Sequence, residues 1–246
     1  PKQPNASAVV WPMEFAGESF ESKALRVSKI VADAKADAAI LTLPDGINWL
    51  LNIRGGDIAF NPLLLCFALI TAAGEVTLFC YEPERAKGLV AGVNVLPMQA
   101  LQQDYASLFA PYQSILIDPA TSARWFFDRL SELNIRVVEA KDPTLLLKAC
   151  KNETEIAGVR AAHRRDGVAL SMFLAWLDEQ VTTGSVISEL DASDKLELLR
   201  QQVGGNLYKG PSFNTIAGSG AHGAIVHYRA DTKSNRTLQM GELFLL

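Results

Sequence analysis

The sequence predicts an α/β layer domain over residues 19–150, followed over residues 151–246 by part of an α+β domain. Up to about residue 145, short apolar runs alternate with amphipathic helical stretches, the pattern of helices packed on a sheet. After Lys151 two long helical stretches come first, and apolar runs separated by glycine-rich loops follow them. The length of 246 residues allows one large domain or two small ones, at roughly 100–200 residues each.

Composition and charge exclude several classes of protein. Hydrophobic residues make up 49% of the chain and charged residues 20%, which is typical of a globular protein rather than a disordered one. A formal net charge of -4 argues against a general nucleic-acid binder, which needs clustered Lys and Arg. The longest apolar run, residues 63–70, is far shorter than the roughly 20 residues that span a bilayer. We therefore expect no nucleic-acid or membrane partner.

The ends and the cysteines indicate a cytoplasmic protein. The first residues are polar and proline-rich, unlike a signal peptide. Cys66 and Cys80 lie in apolar runs and Cys150 makes the count odd, so no complete disulfide set fits. We expect Cys66 and Cys80 to be buried free thiols in a reducing compartment.

Each element of the first domain has a local signal. Residues 1–18 are rich in proline and small residues and are predicted to be a linker. Ser19 is predicted to begin a helix, because apolar residues including Ala24, Val27 and Val31 share one face. Apolar runs predict the strands 38–43, 63–71, 76–80, 93–96, 114–117 and 136–138. The segments between them predict the helices 83–90, 98–109 and 121–133.

The second domain begins with two predicted helices. Asn152 is a good N-cap for a helix that runs to about Val181, with an apolar stripe that includes His163 and Leu170. Ser188 is predicted to begin the next helix. Strands are predicted over residues 213–217, 224–228 and 243–246.

The segment 211–231, PSFNTIAGSGAHGAIVHYRAD, is the first candidate for chemistry. Its glycines allow positive φ or close backbone approach, but no Gly-Lys-Ser/Thr follows and a strand is predicted next, so it is neither a P-loop nor a dinucleotide fingerprint. His227 ends an apolar run and is compatible with either a structural or a catalytic role. We expect His163 in packing and His222 in a solvated turn, and the spacing of the three predicts no metal site.

The second candidate is DGINWLLNIRGGD, residues 45–57. The guanidinium fork of Arg54 is suited to clamping a carboxylate. Local pairing of Arg54 with Asp57 is an equally good interpretation.

These stretches resemble the Xaa-Pro aminopeptidase branch of the creatinase/prolidase metallopeptidases. The matching segments are DGINWLLNIRGGD, DPTLLLKACKNETEIAGVRAAHRRDGVAL, PSFNTIAGSGAHGAIVHY and GELFLL. The resemblance implies an α/β creatinase N-terminal-like domain followed by the first half of an α+β pita-bread domain. Residues 1–18 would be the linker, residues 19–150 the non-catalytic α/β domain, and residues 151–246 a truncated catalytic domain.

The resemblance also implies an activity: removal of an N-terminal residue that precedes proline, with two divalent cations, commonly manganese, holding the attacking hydroxide. The family's five metal ligands would follow GELFLL, so we expect this chain to contribute no metal ligand and to be inactive alone. His227 matches a histidine that hydrogen-bonds the substrate or the intermediate, and Phe213 matches a residue lining the substrate site. Asn52 and Arg54 match a loop that approaches the active site. We expect a peptide substrate with proline second and a homodimer when the protein is full length.

Two alternatives remain at this point. The chain could be a non-catalytic creatinase-like binding or association module, or part of a prolidase that cuts Xaa-Pro dipeptides.

Overall fold

A computed structural model describes residues 5–246, which divide into two compact units at the boundary between Ile156 and Ala157. In these residues the strands are β1 (Val9–Val10), β2 (Ala38–Leu41), β3 (Ile53–Arg54), β4 (Cys66–Thr71), β5 (Val76–Cys80), β6 (Val93–Pro97), β7 (Ser114–Ile117), β8 (Arg136–Glu139), β9 (Gly218–Ser219) and β10 (Phe244–Leu245). The α-helices are α1 (Met13–Ala16), α2 (Phe20–Asp33), α3 (Pro44–Leu50), α4 (Ala100–Gln103), α5 (Tyr105–Phe109), α6 (Arg124–Glu132), α7 (Thr144–Ala149), α8 (Glu153–Thr182) and α9 (Glu189–Gly204).

The first unit is built on a six-stranded mixed sheet in the order β6-β5-β4-β2-β7-β8. The β4–β5 hairpin and the β2–β4 pair are antiparallel, whereas β5–β6, β2–β7 and β7–β8 are parallel. Side chains of β2 alternate between two cores, because successive residues of a strand point to opposite faces. Ala39 and Leu41 join the core that α2 and α3 cover, and Ala38 and Ile40 join the core that contains α6. The α/β layers predicted from the sequence are confirmed.

Helix α2 begins as predicted. The Ser19 side chain accepts a hydrogen bond from the Ser22 N–H at 3.3 Å, which caps the helix. Val27 and Val31 are fully buried against the sheet. The six predicted strands of this unit are all present, and those at 76–80 and 114–117 have the predicted bounds.

Two helical predictions in the first unit need correction, and one helix was not predicted. The predicted helix 83–90 is a single 3-10 turn, Pro83–Arg85, because the chain leaves helical geometry at Ala86, where φ is -123°. The segment 98–109 is two short helices, α4 and α5, since Asp104 between them has φ -119° and ψ 14°. Helix α7 was not anticipated. Within residues 5–18, β1 pairs with β3 and α1 precedes α2.

Both predicted long helices are present, with most of α8 and all of α9 in the second unit. Asn152 Oδ1 accepts from the Glu155 N–H at 2.9 Å and Glu155 Oε2 accepts from the Asn152 N–H at 2.9 Å, a reciprocal cap at the start of α8. Ser188 and Asp191 form the same arrangement at the start of α9. The apolar stripe on α8 is mostly not buried. Of the predicted stripe, Phe173 is buried, and it packs with the neighbouring Ala169 against α9.

The strands predicted over 213–217 and 224–228 are wrong. In their place the structure has a 3-10 turn, Gly220–Ala224, and the short antiparallel ribbon β9–β10. Gly220 has φ +55° and His227 has φ +54°, so the chain turns out of extended geometry at both places. The predicted strand 243–246 is reduced to Phe244–Leu245.

No helix within residues 5–246 combines the length and the apolar character needed to cross a membrane.

Candidate functional site

The glycine-rich segment is folded around the buried carboxylate of Glu189, the first residue of α9. Glu189 is fully buried and accepts hydrogen bonds from the Ser219 N–H, from Nδ1 of His222 and from the Tyr228 hydroxyl, each at 2.8 Å. Burial alone would raise the pKa of Glu189, but these hydrogen bonds hold the pKa below its ordinary value. Glu189 is therefore an ionised acid that organises the turn.

The turn itself accepts no side chain at Gly220. A Cβ there would lie 2.3 Å from Nη1 of Arg236 and 2.8 Å from a carboxylate oxygen of Glu242. Arg236 donates to the Ser219 carbonyl at 2.8 Å and to both oxygens of Glu242 at 2.9 Å. Gly220 is required because this ion pair packs directly against the backbone.

His227 is exposed and adjoins an anchored neighbour. Tyr228 is 7% exposed, and its ring centroid lies 4.5 Å from that of His222. Because the Tyr228 hydroxyl is bound to Glu189, the backbone beside His227 is fixed while its imidazole faces outward. Positive φ is uncommon for a residue with a side chain, and such strain clusters at functional sites. Among residues 5–246 the imidazole of His227 has no hydrogen-bond partner.

The histidines differ from the sequence expectations. His222, expected to be solvated, is half-buried on Glu189. His163, expected in packing, is exposed and its Nδ1 lies 2.9 Å from the Val159 carbonyl oxygen of its own helix. Glu189 was missed as an organising residue, since an acid in the first turn of a helix is explained by the helix dipole alone.

A cavity of about 660 Å³ lies in the second unit, between α8, α9 and the segment 207–216. Phe213 lines it and is 62% exposed. The charged side chains that line the cavity include Arg165, Lys209 and the ion pair of Arg200 with Asp166, whose closest atoms are 2.6 Å apart. His227 is not among the lining residues, so the structure does not bring Phe213 and His227 into one cavity.

Asn52 makes hydrogen bonds within the first unit through both its side chain and its backbone carbonyl. Its Nδ2 donates to the Glu18 carbonyl at 2.8 Å, its Oδ1 accepts from Nζ of Lys23 at 2.6 Å, and its carbonyl accepts from the Trp11 N–H at 2.7 Å. Asn52 is 7% exposed and has φ +50°. These contacts hold the loop that carries Arg54.

Lys23 is the buried cation of this cluster. Its Nζ also donates to the Trp49 carbonyl at 2.9 Å and lies 4.5 Å from the centroid of the Trp49 ring. Burial lowers the pKa of Lys23 to about 8, partly offset by the charge of Glu155.

Arg54 does not pair with Asp57, so that alternative is wrong. Its Nη1 donates to the Ile53 carbonyl at 2.8 Å, and its guanidinium carbon lies 4.7 Å from the centroid of the Trp11 ring. Asp57 instead forms a buried ion pair with Arg85, because the chain between them brings the carboxylate under the guanidinium. Arg54 remains half-buried.

No group of three or more His, Cys, Asp or Glu side chains within residues 5–246 lies close enough together to hold a metal ion.

Two family models match the chain. Residues 1–155 match the creatinase/prolidase N-terminal domain, and residues 157–246 match metallopeptidase family M24. Among curated relatives, the protein named probable Xaa-Pro aminopeptidase P from Laccaria bicolor is 33% identical over 253 residues, covering 100% of this chain and 38% of the relative. The protein of the same name from Paracoccidioides brasiliensis is 35% identical over 246 residues, covering 94% and 39%. The chain spans about two fifths of the length of these relatives.

Solved structures show the same fold. X-prolyl aminopeptidase from Caenorhabditis elegans, a cytosolic enzyme with a di-nuclear active site, superposes with a TM-score of 0.86 at 27% identity, covering 99% of this chain and 41% of that one. Xaa-Pro dipeptidase from Bacillus anthracis has a TM-score of 0.66 at 16% identity, covering 92% and 59%. The expected fold class, a creatinase-type domain followed by part of a pita-bread domain, is confirmed.

Proposed function

The chain belongs to the creatinase/prolidase N-terminal domain family, and we propose from this that it is part of a metallopeptidase that removes the N-terminal residue from Xaa-Pro peptides. The observation that carries the proposal is the likeness over the whole chain to proteins named Xaa-Pro aminopeptidase P, at 33% identity for the Laccaria bicolor relative. The 27% identical C. elegans aminopeptidase supports the same activity, whereas the dipeptidase at 16% identity supports the fold alone.

We assign His227 the role of a hydrogen-bond donor to the substrate carbonyl or to the tetrahedral intermediate. A neutral imidazole suits this role because it adds no charge beside metal cations. The support is its exposed position next to Tyr228, whose anchoring on Glu189 limits the movement of the donor. A donor fixed in advance stabilises developing charge without a reorganisation cost at the moment of reaction.

We propose that Phe213 contributes an apolar wall to the substrate site. Its support is a place in the cavity of about 660 Å³, a size typical of small-molecule and peptide sites. Arg54 is proposed as a contact for a substrate carboxylate, since a half-buried guanidinium is suited to that partner. Asn52 acts through its position: its side chain holds the loop rather than the substrate.

Two divalent cations, proposed to be manganese, would supply a nucleophilic hydroxide in this reaction. The di-nuclear site of the C. elegans relative and the match to family M24 support a metal pair. We propose that the ligands of the pair lie outside residues 5–246, as the family resemblance implies.

The remaining features of the proposal are a cytoplasmic location and a homodimeric assembly. The location rests on the cytosolic C. elegans relative, and the homodimer on the family resemblance. The association module and the prolidase are the competing functions, and the same experiment separates all three.

This test and the replacement of His227 described below use the full-length protein, since the chain alone is expected to be inactive. The test measures hydrolysis of a tripeptide with proline second, its alanine analogue and an Xaa-Pro dipeptide. We expect cleavage of the proline tripeptide alone, loss of cleavage with a chelator and recovery with Mn²⁺. Cleavage of the dipeptide alone would assign a prolidase. Absence of all cleavage with divalent cations present would reject the peptidase and leave the association module.

Replacement of His227 tests the assigned donor. We expect His227→Ala to lower kcat by roughly 10²–10³-fold, the effect of losing one donor to a developing oxyanion. Arg229→Ala, which changes an exposed neighbour, is the control and should keep turnover within a few-fold. Unchanged kcat in His227→Ala would remove His227 from the mechanism.

A further inference from the structure

Two cysteines face each other at the open end of the β4–β5 hairpin. Cys66 is the first residue of β4 and Cys80 the last of β5, and they are direct partners in the antiparallel register. Both are free thiols, 3% and 0% exposed, and both belong to the core that α2 and α3 cover. The side chains therefore lie on the same face of the sheet.

The hydrogen-bond pattern of the hairpin brings this pair unusually close. The Thr71 N–H donates to the Glu75 carbonyl at 2.9 Å, so Thr71 and Glu75 are a hydrogen-bonded pair. Hydrogen-bonded and non-hydrogen-bonded pairs alternate along antiparallel strands, and the register is continuous from Ile70–Val76 to Cys66–Cys80. Cys66–Cys80 is five pairs away from Thr71–Glu75 and is therefore non-hydrogen-bonded.

Non-hydrogen-bonded partners have Cα atoms about 4.5 Å apart, closer than the roughly 5.5 Å of hydrogen-bonded partners. Disulfide-linked cysteines have Cα atoms roughly 4.4–6.8 Å apart, so a bond between these sulfurs fits without strand movement. The part of the chain described here contains no group of three His, Cys, Asp or Glu side chains that could hold a metal ion, so the pair is not part of such a site. A covalent link is thus the chemistry available to the pair.

The surroundings keep the thiols unreactive in the closed hairpin. The Cys66 thiol donates to the Leu64 carbonyl at 3.3 Å, and burial raises the pKa of both thiols. Arg85 acts in the opposite direction on the pKa of Cys80 alone. Since the thiolate is the nucleophile, reaction requires opening of the hairpin end, and Cys80 is the better attacking group.

We propose that Cys66 and Cys80 form a reversible redox modification site, which closes to an intramolecular disulfide by exchange with a small-molecule disulfide such as oxidised glutathione. The Cys80 thiolate attacks one sulfur of that disulfide and releases one small thiolate. The Cys66 thiolate then attacks the Cys80 sulfur and releases the second. The two protons lost by the cysteines end on the two small thiols, so the protein is oxidised by two electrons and the small disulfide is reduced.

This bond would connect the two strands beside the loop that contains Asp57. Asp57 accepts from the Leu65 N–H at 2.8 Å and pairs with Arg85, which follows β5. Oxidation would therefore fix the end of the segment 57–65 that adjoins Cys66 and would withdraw the Cys66 thiol from the Leu64 carbonyl.

The experiment lets the two thiols react with glutathione during refolding, when these buried positions are accessible to it. The protein with Cys150→Ser is unfolded, reduced and refolded in glutathione buffers of increasing oxidising ratio, then alkylated and mapped by peptide mass spectrometry. We expect a peptide linked through Cys66 and Cys80, 2 Da lighter than its two reduced parts, which disappears with dithiothreitol. Cys66→Ser in the same background is the control and should give no linked peptide.

The opposite result is equally clear. Free thiols at both positions, or separate glutathione adducts, in folded protein at the most oxidising ratio would overturn the proposal. If refolding fails, the native protein is equilibrated in the same buffers at a urea concentration just below its unfolding midpoint, where the hairpin opens transiently, and the same two outcomes apply.

Discussion

Glu189 connects parts of the second unit that are far apart in the sequence. Its donors belong to residues 30 to 47 positions away, from Ser219 to Arg236. A buried carboxylate is costly unless donors surround it, and here several do. At the scale of single residues, this acid explains why the turn, His222 and Tyr228 occupy fixed places.

Replacement of Glu189 by Gln tests this role. The amide places N–H groups against the Ser219 and Tyr228 donors, so we expect a loss of about 3 kcal/mol in the free energy of unfolding at pH 7. Glu179→Gln, an exposed acid on α8, is the matched control. Urea unfolding followed by circular dichroism measures both.

The pH dependence of that difference gives a second check. The pKa of folded Glu189 lies below its ordinary value of 4.5, so its stabilising contribution is complete above pH 4.5 and is lost as the pH falls through the lowered value. The difference between wild type and Glu189→Gln should therefore shrink in acid. A difference that stays constant from pH 7 to pH 3 would contradict the assignment.

The fold disfavours the charged form of Lys23, whereas it favours the charged form of Glu189. Its pKa is about 8 in the folded protein and about 10.5 when unfolded, so the unfolded chain binds more protons between these values. We expect the free energy of unfolding to rise with pH over this window, by at most about 3 kcal/mol. Urea titrations of wild type and Lys23→Met from pH 7 to 10.5 measure the rise. Lys29→Met, an exposed lysine of the same helix, is the control, and a slope unaffected by Lys23→Met would contradict the expectation.

The sequence allowed the site residues to be predicted, but not the partner that each side chain binds. Arg54 was a good candidate from its sequence neighbours, yet the choice between a carboxylate ligand and Asp57 depended on where Arg85 would lie. His222 illustrates the same limit, because its acceptor is 33 residues away and no local pattern joins them.

At the scale of elements, the strands of the first unit were predictable because each is a short apolar run between turn or helix signals. The β4–β5 hairpin is an example, with its turn at residues 72–75. The strand predicted at 224–228 failed because the chain turns at His227, which has φ +54°. The strand predicted at 213–217 failed because no strand within the described residues pairs with it. In this part of the described chain the paired strands are Gly218–Ser219 and Phe244–Leu245.

The cap of α9 offers an element-scale prediction. The Ser188 side chain accepts from the Asp191 N–H at 3.2 Å, so Ser188→Ala leaves that donor unpaired. We expect a loss of about 1 kcal/mol in the free energy of unfolding, measured by urea denaturation. Ser171→Ala, in the middle of α8, removes a hydroxyl without removing a cap. An equal effect of the two substitutions would show that the cap has no special contribution.

At the scale of the molecule, each unit has its own core. Phe173 is fully buried in the core formed by α8 and α9, whereas the sheet of the first unit is covered by two other clusters. We expect Phe173→Ala to cost roughly 3–5 kcal/mol. Hydrogen exchange followed by mass spectrometry should show lost protection in α8 and α9 and unchanged protection in β2 and β7.

Phe79→Ala is the matched change in the sheet of the first unit, since Phe79 is 1% exposed, and should give the reverse pattern. Loss of protection across both units in either variant would show that the cores do not unfold separately. The existence of two units was suggested by the change of pattern near residue 150, but the strand order was not, because crossovers depend on packing that the sequence does not display.

The edges of the six-stranded sheet have a consequence for self-association. The outer strands are β6 and β8, and both are short. β8 begins and ends with the exposed charges of Arg136 and Glu139, and β6 ends with Pro97, which has no N–H to donate. Charges and proline at an edge oppose the addition of a strand from another molecule. The sheet is thereby protected against the edge-to-edge stacking that leads to fibrils.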